Sequence, residues 1–127
     1  IRTCRDLGEA LGFARVTELS PEEHDDVIGF VSQLTHCIAI ALMTCNDDQH
    51  LEQYTGDSFR DLTRIARIND EMWSELFLLN REALLAQMDA FLAQLARIRG
   101  MIDRGERDEL RALMRRSSER RAKFDKK

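Results

Sequence analysis

The stretch from Val27 to Cys45 runs for nineteen residues without a charge, and it constrains the fold more than any other feature of the chain. At about 100° per residue, Val27, Phe30, Val31, Leu34, Ile38, Ala41, Leu42 and Cys45 fall on one apolar stripe, as in an amphipathic helix. The opposite face, with Gly29, Ser32, His36 and Ile40, is small or neutral rather than charged. Such a helix has no face suited to water, so it must be covered on all sides, and one short chain supplies few elements to do so. Its length approaches that of a membrane span. Ser32, Gln33, Thr35 and His36 cluster in its middle, however, and the acid pairs Asp25-Asp26 and Asp47-Asp48 flank it. The expectation is a helix buried in a soluble assembly, with no membrane partner.

Its start is well marked. Ser20-Pro21-Glu22-Glu23 offers a capping serine, a proline suited to the first helical position and a glutamate placed to close a capping box. The helix is predicted to run to Cys45 or Asn46. A first helix is predicted over Thr3–Leu11, closed by Gly12. A polar connector follows from Asn46 to Thr55, then a short helix from Ser58 to Ile68.

A capping signal at Asn69 or Asp70 opens the longest predicted element. Trp73, Leu76, Phe77, Asn80, Leu84, Met88, Phe91, Leu95, Ile98 and Ile102 recur in steps of three and four, a heptad-like seam. A continuous helix over 71–103 would span roughly 50 Å, against a radius of gyration of about 13 Å for a domain near this size. An overhanging apolar seam calls for a partner chain. Gly105 ends the helix, and a last one from Glu106 buries at most Leu110, Leu113 and Met114. No segment alternates as a strand does. The fold class expected is all-α, one helical domain over residues 1–127.

Charge and cysteines narrow the function. Residues 1–96 carry 7 Lys and Arg against 17 Asp and Glu, and residues 97–127 carry 12 against 6. In the basic tail Arg107, Arg111, Arg115 and Arg120 alternate with Glu106, Asp108, Glu109 and Glu119, and no aromatic is interleaved to stack on bases. That pattern reads as a solvated helix end, so no nucleic-acid partner is expected. Cys4, Cys37 and Cys45 lack metal-type spacing, and the last two sit in an apolar run. Buried thiols in a reducing compartment are expected, with no metal site. The chain begins at Ile1, which reads as a start within a longer protein.

Three features could carry chemistry. His36 is a titratable group on a small, uncharged face, either a satisfied structural histidine or an acid–base partner. Arg60 and Arg64 stand four apart, and Gly56 precedes their helix. A glycine-led helix start with arginine can hold a carboxylate through backbone N–H groups and a bidentate guanidinium; a surface pair such as Asp61–Arg64 is the plainer alternative. Asn80 interrupts the apolar seam, and an asparagine so placed commonly fixes register, with a site-lining role as the alternative. There is no Gly-x-Gly-x-x-Gly and no phosphate loop, no Cys/His set and no Gly-x-Ser-x-Gly. The chain by itself does not read as a complete catalyst.

At these residues the chain resembles the prephenate dehydrogenase family, which oxidatively decarboxylates prephenate to 4-hydroxyphenylpyruvate in tyrosine biosynthesis. The resemblance rests on Ser20-Pro21-Glu22-Glu23-His24-Asp25, on Ser32-Gln33-Leu34-Thr35-His36 and on the run from Gly56 through Phe59-Arg60-Asp61-Leu62-Thr63-Arg64-Ile65-Ala66. Met72-Trp73 and Asn80 follow in register. It covers residues 11–95.

The resemblance implies a helical bundle like the C-terminal domain of 6-phosphogluconate dehydrogenase, with two long core helices, dimeric and cytoplasmic. It implies that Arg64 binds a carboxylate of prephenate, that His36 lines the same cleft, and that Gly56, Ser58 and Asn80 are near it. It further implies that NAD or NADP and the catalytic histidine belong to an N-terminal Rossmann domain absent here, so that no catalytic or cofactor-binding residue lies in this chain. Hydride would leave the ring carbinol carbon for the nucleotide as carbon dioxide departs. Gln33 stands where the family has a first histidine, Thr35 where it has proline, and Asp57 and Ser58 where it has glycines. An arogenate dehydrogenase domain and a purely structural dimerisation module are the alternatives.

Overall fold

The capping box at Ser20 forms as its residue types dictate. The Glu23 N–H donates to Ser20 Oγ at 3.1 Å, and the Ser20 N–H donates to Glu23 Oε2 at 2.8 Å. In a computed structural model that describes residues 1–125, this box opens α2, Pro21–Ile28. Before it lies α1, Arg2–Ala10, closed by Gly12 at φ +83°, and Arg5 pairs with Glu18 at 3.4 Å.

The chain does not continue from α2 as regular α-helix. Gly29–Leu34 forms a π-helical segment, and α3, Thr35–Thr44, follows it. The wider turn leaves the Ser32 carbonyl off the α-helical ladder. It accepts instead from the Thr35 N–H, from Thr35 Oγ1 at 2.6 Å and from His36 Nδ1 at 2.7 Å. One added residue rotates everything after it by about 100° relative to an uninterrupted α-helix.

The face buried within the chain differs accordingly from the apolar stripe. Gly29, Gln33, Leu34 and Ala39 are buried, whereas Val27, Phe30, Val31, Ala41 and Cys45 are exposed. The expectation of two buried thiols is corrected for Cys45; Cys37 is half-buried, and that burial pushes its thiol up. By length and composition, Pro21–Thr44 could cross a membrane. Its mid-point is tied to protein, since the Gln33 amide hydrogen-bonds to residues of a second helix.

After a short 3-10 turn at Leu51–Gln53 comes α4, Asp57–Thr63, followed by a second 3-10 turn, Arg64–Ala66. Both α4 and this turn pack against α3. The capping signal resolves to Asn69, whose Oδ1 accepts the Met72 N–H at 3.0 Å and opens α5, Asp70–Leu79.

The predicted continuous helix over 71–103 is a second correction. The backbone leaves helical geometry at Asn80 (φ -106°, ψ 29°), and α6, Arg81–Asp103, begins after it. The Asn80 side chain is drawn sideways: its Nδ2 donates to the Asp25 carbonyl at 3.1 Å and to Gln33 Oε1 at 2.7 Å. α6 ends in a turn through Gly105 at φ +67°, and α7, Arg107–Ala122, follows. No strand occurs among the described residues.

Contacts divide the chain into two compact units, with the boundary inside α6 between Leu84 and Leu85. Neither closes a sizeable core, and Leu34, Ala39, Leu84 and Met101 are the buried hydrophobic residues. The chain exposes 11055 Å², whereas a folded monomer of 14.7 kDa exposes about 7,000 Å². Leu85, Leu92, Leu95 and Ile102 on α6 are all exposed by half or more.

Candidate functional site

His36 enters α3 one residue after the π segment, and two contacts hold its ring. Nδ1 lies 2.7 Å from the Ser32 carbonyl, and the imidazole stacks on Trp73 of α5 with centroids 3.8 Å apart and planes 24° from parallel. A carbonyl only accepts, so Nδ1 is the donor in this contact. Phe77, one turn further along α5, meets Trp73 in a tilted contact at 5.7 Å.

A cleft of about 340 Å³ opens beside this stack, lined by Ile40, Met43 and Thr44 of α3, by Ala66 and Ile68, and by Asp70, Trp73, Ser74 and Phe77 of α5. Its walls are largely apolar, and Asp70 is the charged residue among them.

Arg64 begins the 3-10 turn whose last residue, Ala66, lines that cleft. Its side chain is exposed and takes part in none of the four ion pairs among the described residues. The Asp61–Arg64 pair considered from sequence does not form. The shared helical face of Arg60 and Arg64 is corrected too, because α4 ends at Thr63, where the hydroxyl turns back to the Phe59 carbonyl at 2.7 Å. Arg60 faces a different hollow of about 450 Å³, together with Met43, Asn46, Asp48 and Thr63.

Gly56 is the N-cap of α4, at φ -100°, a value open to any residue, with nothing within 4 Å of a built Cβ. Ser58 is exposed in the first turn. Asn80 sits seven residues beyond Trp73 on the α5 side, roughly 10 Å along a helix, and its amide donates to Asp25 and Gln33.

The structure thus brings His36 onto Trp73 and sets Arg64 on a turn packed against α3, with Asn80 in a separate polar cluster. Sequence reasoning treated Trp73 as a seam residue and Gln33 as a mere departure from a motif. Only the pairing of α3 with α5 reveals what each of them touches.

The described residues thus form an all-helical domain with a largely apolar cleft, a histidine tethered beside it and an arginine outside the ion pairs. Residues 20–116 match the family described as prephenate dehydrogenase, dimerization domain, and the chain belongs to that family. It is 33% identical over 111 residues to the cyclohexadienyl dehydrogenase of Zymomonas mobilis subsp. mobilis, covering 83% of this chain and 38% of that protein. It is 30% identical over 104 residues to the prephenate dehydrogenase of Bacillus subtilis, covering 76% of this chain and 28% of that protein. This chain therefore spans well under half the length of these curated relatives.

Among solved structures, prephenate dehydrogenase from A. aeolicus in complex with hydroxyphenyl propionate and NAD+ aligns with a TM-score of 0.84 at 30% identity, covering 97% of this chain and 44% of that one. The arogenate dehydrogenase of Synechocystis aligns with a TM-score of 0.85 at 22% identity, covering 97% and 46%, and that likeness speaks for the fold alone.

Proposed function

We propose that this chain is the dimerisation and substrate-carboxylate-binding domain of a cytoplasmic prephenate dehydrogenase, which converts prephenate to 4-hydroxyphenylpyruvate by oxidative decarboxylation. The observation that carries the reading is Arg64: an exposed guanidinium outside every ion pair, on the turn that forms one wall of the cleft beside His36 and Trp73.

The roles follow from the chemistry of each group. Arg64 offers a planar fork of N–H donors that fits a carboxylate in two parallel hydrogen bonds. The tie of His36 Nδ1 to Ser32 and its stack on Trp73, a wall of that cleft, fix the plane of the imidazole. The apolar walls receive the cyclohexadiene ring and keep water from it. The described residues contain no strand–glycine loop–helix unit to cradle a pyrophosphate, so we assign the nucleotide to the N-terminal domain of the whole protein. Bound there, NAD or NADP supplies the hydride acceptor.

The second partner is another copy of this chain. The accessible surface exceeds that of a monomer of this mass by about 4,000 Å², and Leu92, Leu95 and Ile102 are among the large apolar side chains exposed. A purely structural dimeriser would share this surface, and the Arg64→Ala measurement below separates the two readings.

The resemblance leaves one alternative substrate, arogenate, which carries an amino group where prephenate has a keto oxygen. Steady-state turnover of both compounds by the full-length protein decides between them. The decisive variant is Arg64→Ala in that protein. Loss of a charge-assisted contact worth about 1.5–3 kcal/mol should weaken substrate binding roughly tenfold to a hundredfold while nucleotide affinity stays unchanged. Unaltered substrate affinity in a folded Arg64→Ala enzyme would remove the basis of the proposal.

A further inference from the structure

Gln33 is the buried polar side chain of this chain, 5% exposed in the π-helical segment between α2 and α3. An amide buried without partners is destabilising, and here both ends are satisfied by α5 and its terminus. Gln33 Nε2 donates to the Leu76 carbonyl at 3.3 Å, and Gln33 Oε1 accepts from Asn80 Nδ2 at 2.7 Å. Asn80 Nδ2 also donates to the Asp25 carbonyl at 3.1 Å. These three bonds join residues 43, 47 and 55 positions apart. Every other side-chain hydrogen bond among the described residues is local.

The contacts run in reverse order on the two helices. Asp25, Gln33 and His36 meet Asn80, Leu76 and Trp73 respectively, so the two elements are antiparallel and in fixed register. His36 follows Gln33 by three residues, and its Nδ1 tether, Ser32, immediately precedes it. The polar contact and the aromatic stack are successive rungs of one pairing.

We propose that Gln33 and Asn80 form a positioning clasp that holds the π-helical register and so determines that His36 stacks on Trp73. The reason is geometric. A π turn carries an extra residue, and reversion to α-helix would turn α3 by about 100°, taking the imidazole off the indole. The clasp pins the π segment to the kink at Asn80, and the two irregularities support each other. Its importance for catalysis rests on the role proposed above for His36; the clasp itself does not.

Trp73 is the single tryptophan of the chain, so its near-ultraviolet circular dichroism and emission report the stack without any ligand. The reference for a lost stack is His36→Ala. Gln33→Met keeps the volume and removes the polar ends, while the Leu76 carbonyl retains the Asn80 N–H at 3.2 Å and Asn80 Nδ2 retains Asp25. Gln33→Met should therefore fold, with unchanged far-ultraviolet dichroism, yet move the Trp73 signals most of the way to the His36→Ala values. Asn80→Ala breaks the same contact from the other helix and should do likewise, which keeps the test open if Gln33→Met fails to fold. Gln33→His should restore the wild-type signals, because a neutral imidazole also offers one donor and one acceptor.

Wild-type Trp73 signals in a folded Gln33→Met or Asn80→Ala chain would overturn the clasp. So would a Gln33→His chain that behaves like Gln33→Met, since a donor and an acceptor at position 33 would then not suffice to hold the stack. Because no substrate enters these measurements, their failure leaves the assignment of Arg64 untouched.

Discussion

Arg64 and Arg104 show how the same side chain serves two ends. Arg104 is spent on structure: Nε and Nη2 lie 2.6 and 3.2 Å from Glu106 Oε1 and Oε2, a fork closed across the turn at Gly105. Hydrogen bonding to Arg104 holds Glu106 below the usual carboxylate range; desolvation opposes it, and the charge of Arg104 adds a lesser push in the same downward direction. A depressed folded pKa means the contribution is present above the unfolded value and is lost as pH falls through the folded one. The Tm difference between wild type and Glu106→Gln should therefore be largest near neutrality and vanish in acid, and a difference independent of pH would count against this pairing. Arg64 takes part in no ion pair among the described residues, and in the proposed function its partner is a substrate carboxylate instead. In the full-length protein Arg64→Lys should recover little of the substrate affinity lost in Arg64→Ala, because an ammonium cannot reproduce the planar fork. Recovery to wild-type affinity in Arg64→Lys would indicate a plain charge effect instead.

The individual elements begin and end where local chemistry says they should. Ser20 and Asn69 cap α2 and α5 through their own oxygens, and Gly12 and Gly105 take the positive φ that other residues resist. Ser20→Ala should lower stability by about 1 kcal/mol, measured by urea unfolding, and an unchanged midpoint would mean that α2 is held by packing alone. These signals act over three or four residues and are legible in the sequence, whereas the role of Arg64 enters only as what the resemblance implies. The π segment and the kink at Asn80 were not legible. Both depend on hydrogen bonds to residues more than forty positions away, and heptad spacing runs through Asn80 without interruption. The inverted burial of the uncharged helix has the same origin: periodicity identified its apolar stripe, but Gln33 and Ala39, not Phe30 and Val31, face the rest of the chain.

The whole molecule is defined by what it leaves uncovered. Phe30 and Val31 on the π segment, and separately Leu85, Leu92, Leu95 and Ile102 on α6, are all exposed by half or more, and runs of uncovered apolar side chains of this kind mark interaction surfaces. A two-fold interface of the obligate kind, roughly 2,000 Å² or more, would cover them, and two-fold symmetry is the usual solution. Leu95→Arg should therefore reduce solubility and Tm together rather than release a well-behaved monomer. The most direct measurement is sedimentation equilibrium of the unmodified chain over a dilution series into the micromolar range. The predicted result is a single species of twice 14.7 kDa whose thermal unfolding shifts with concentration. A monodisperse, thermally stable 14.7 kDa species would contradict the account, because the exposed stripes would then need no second copy.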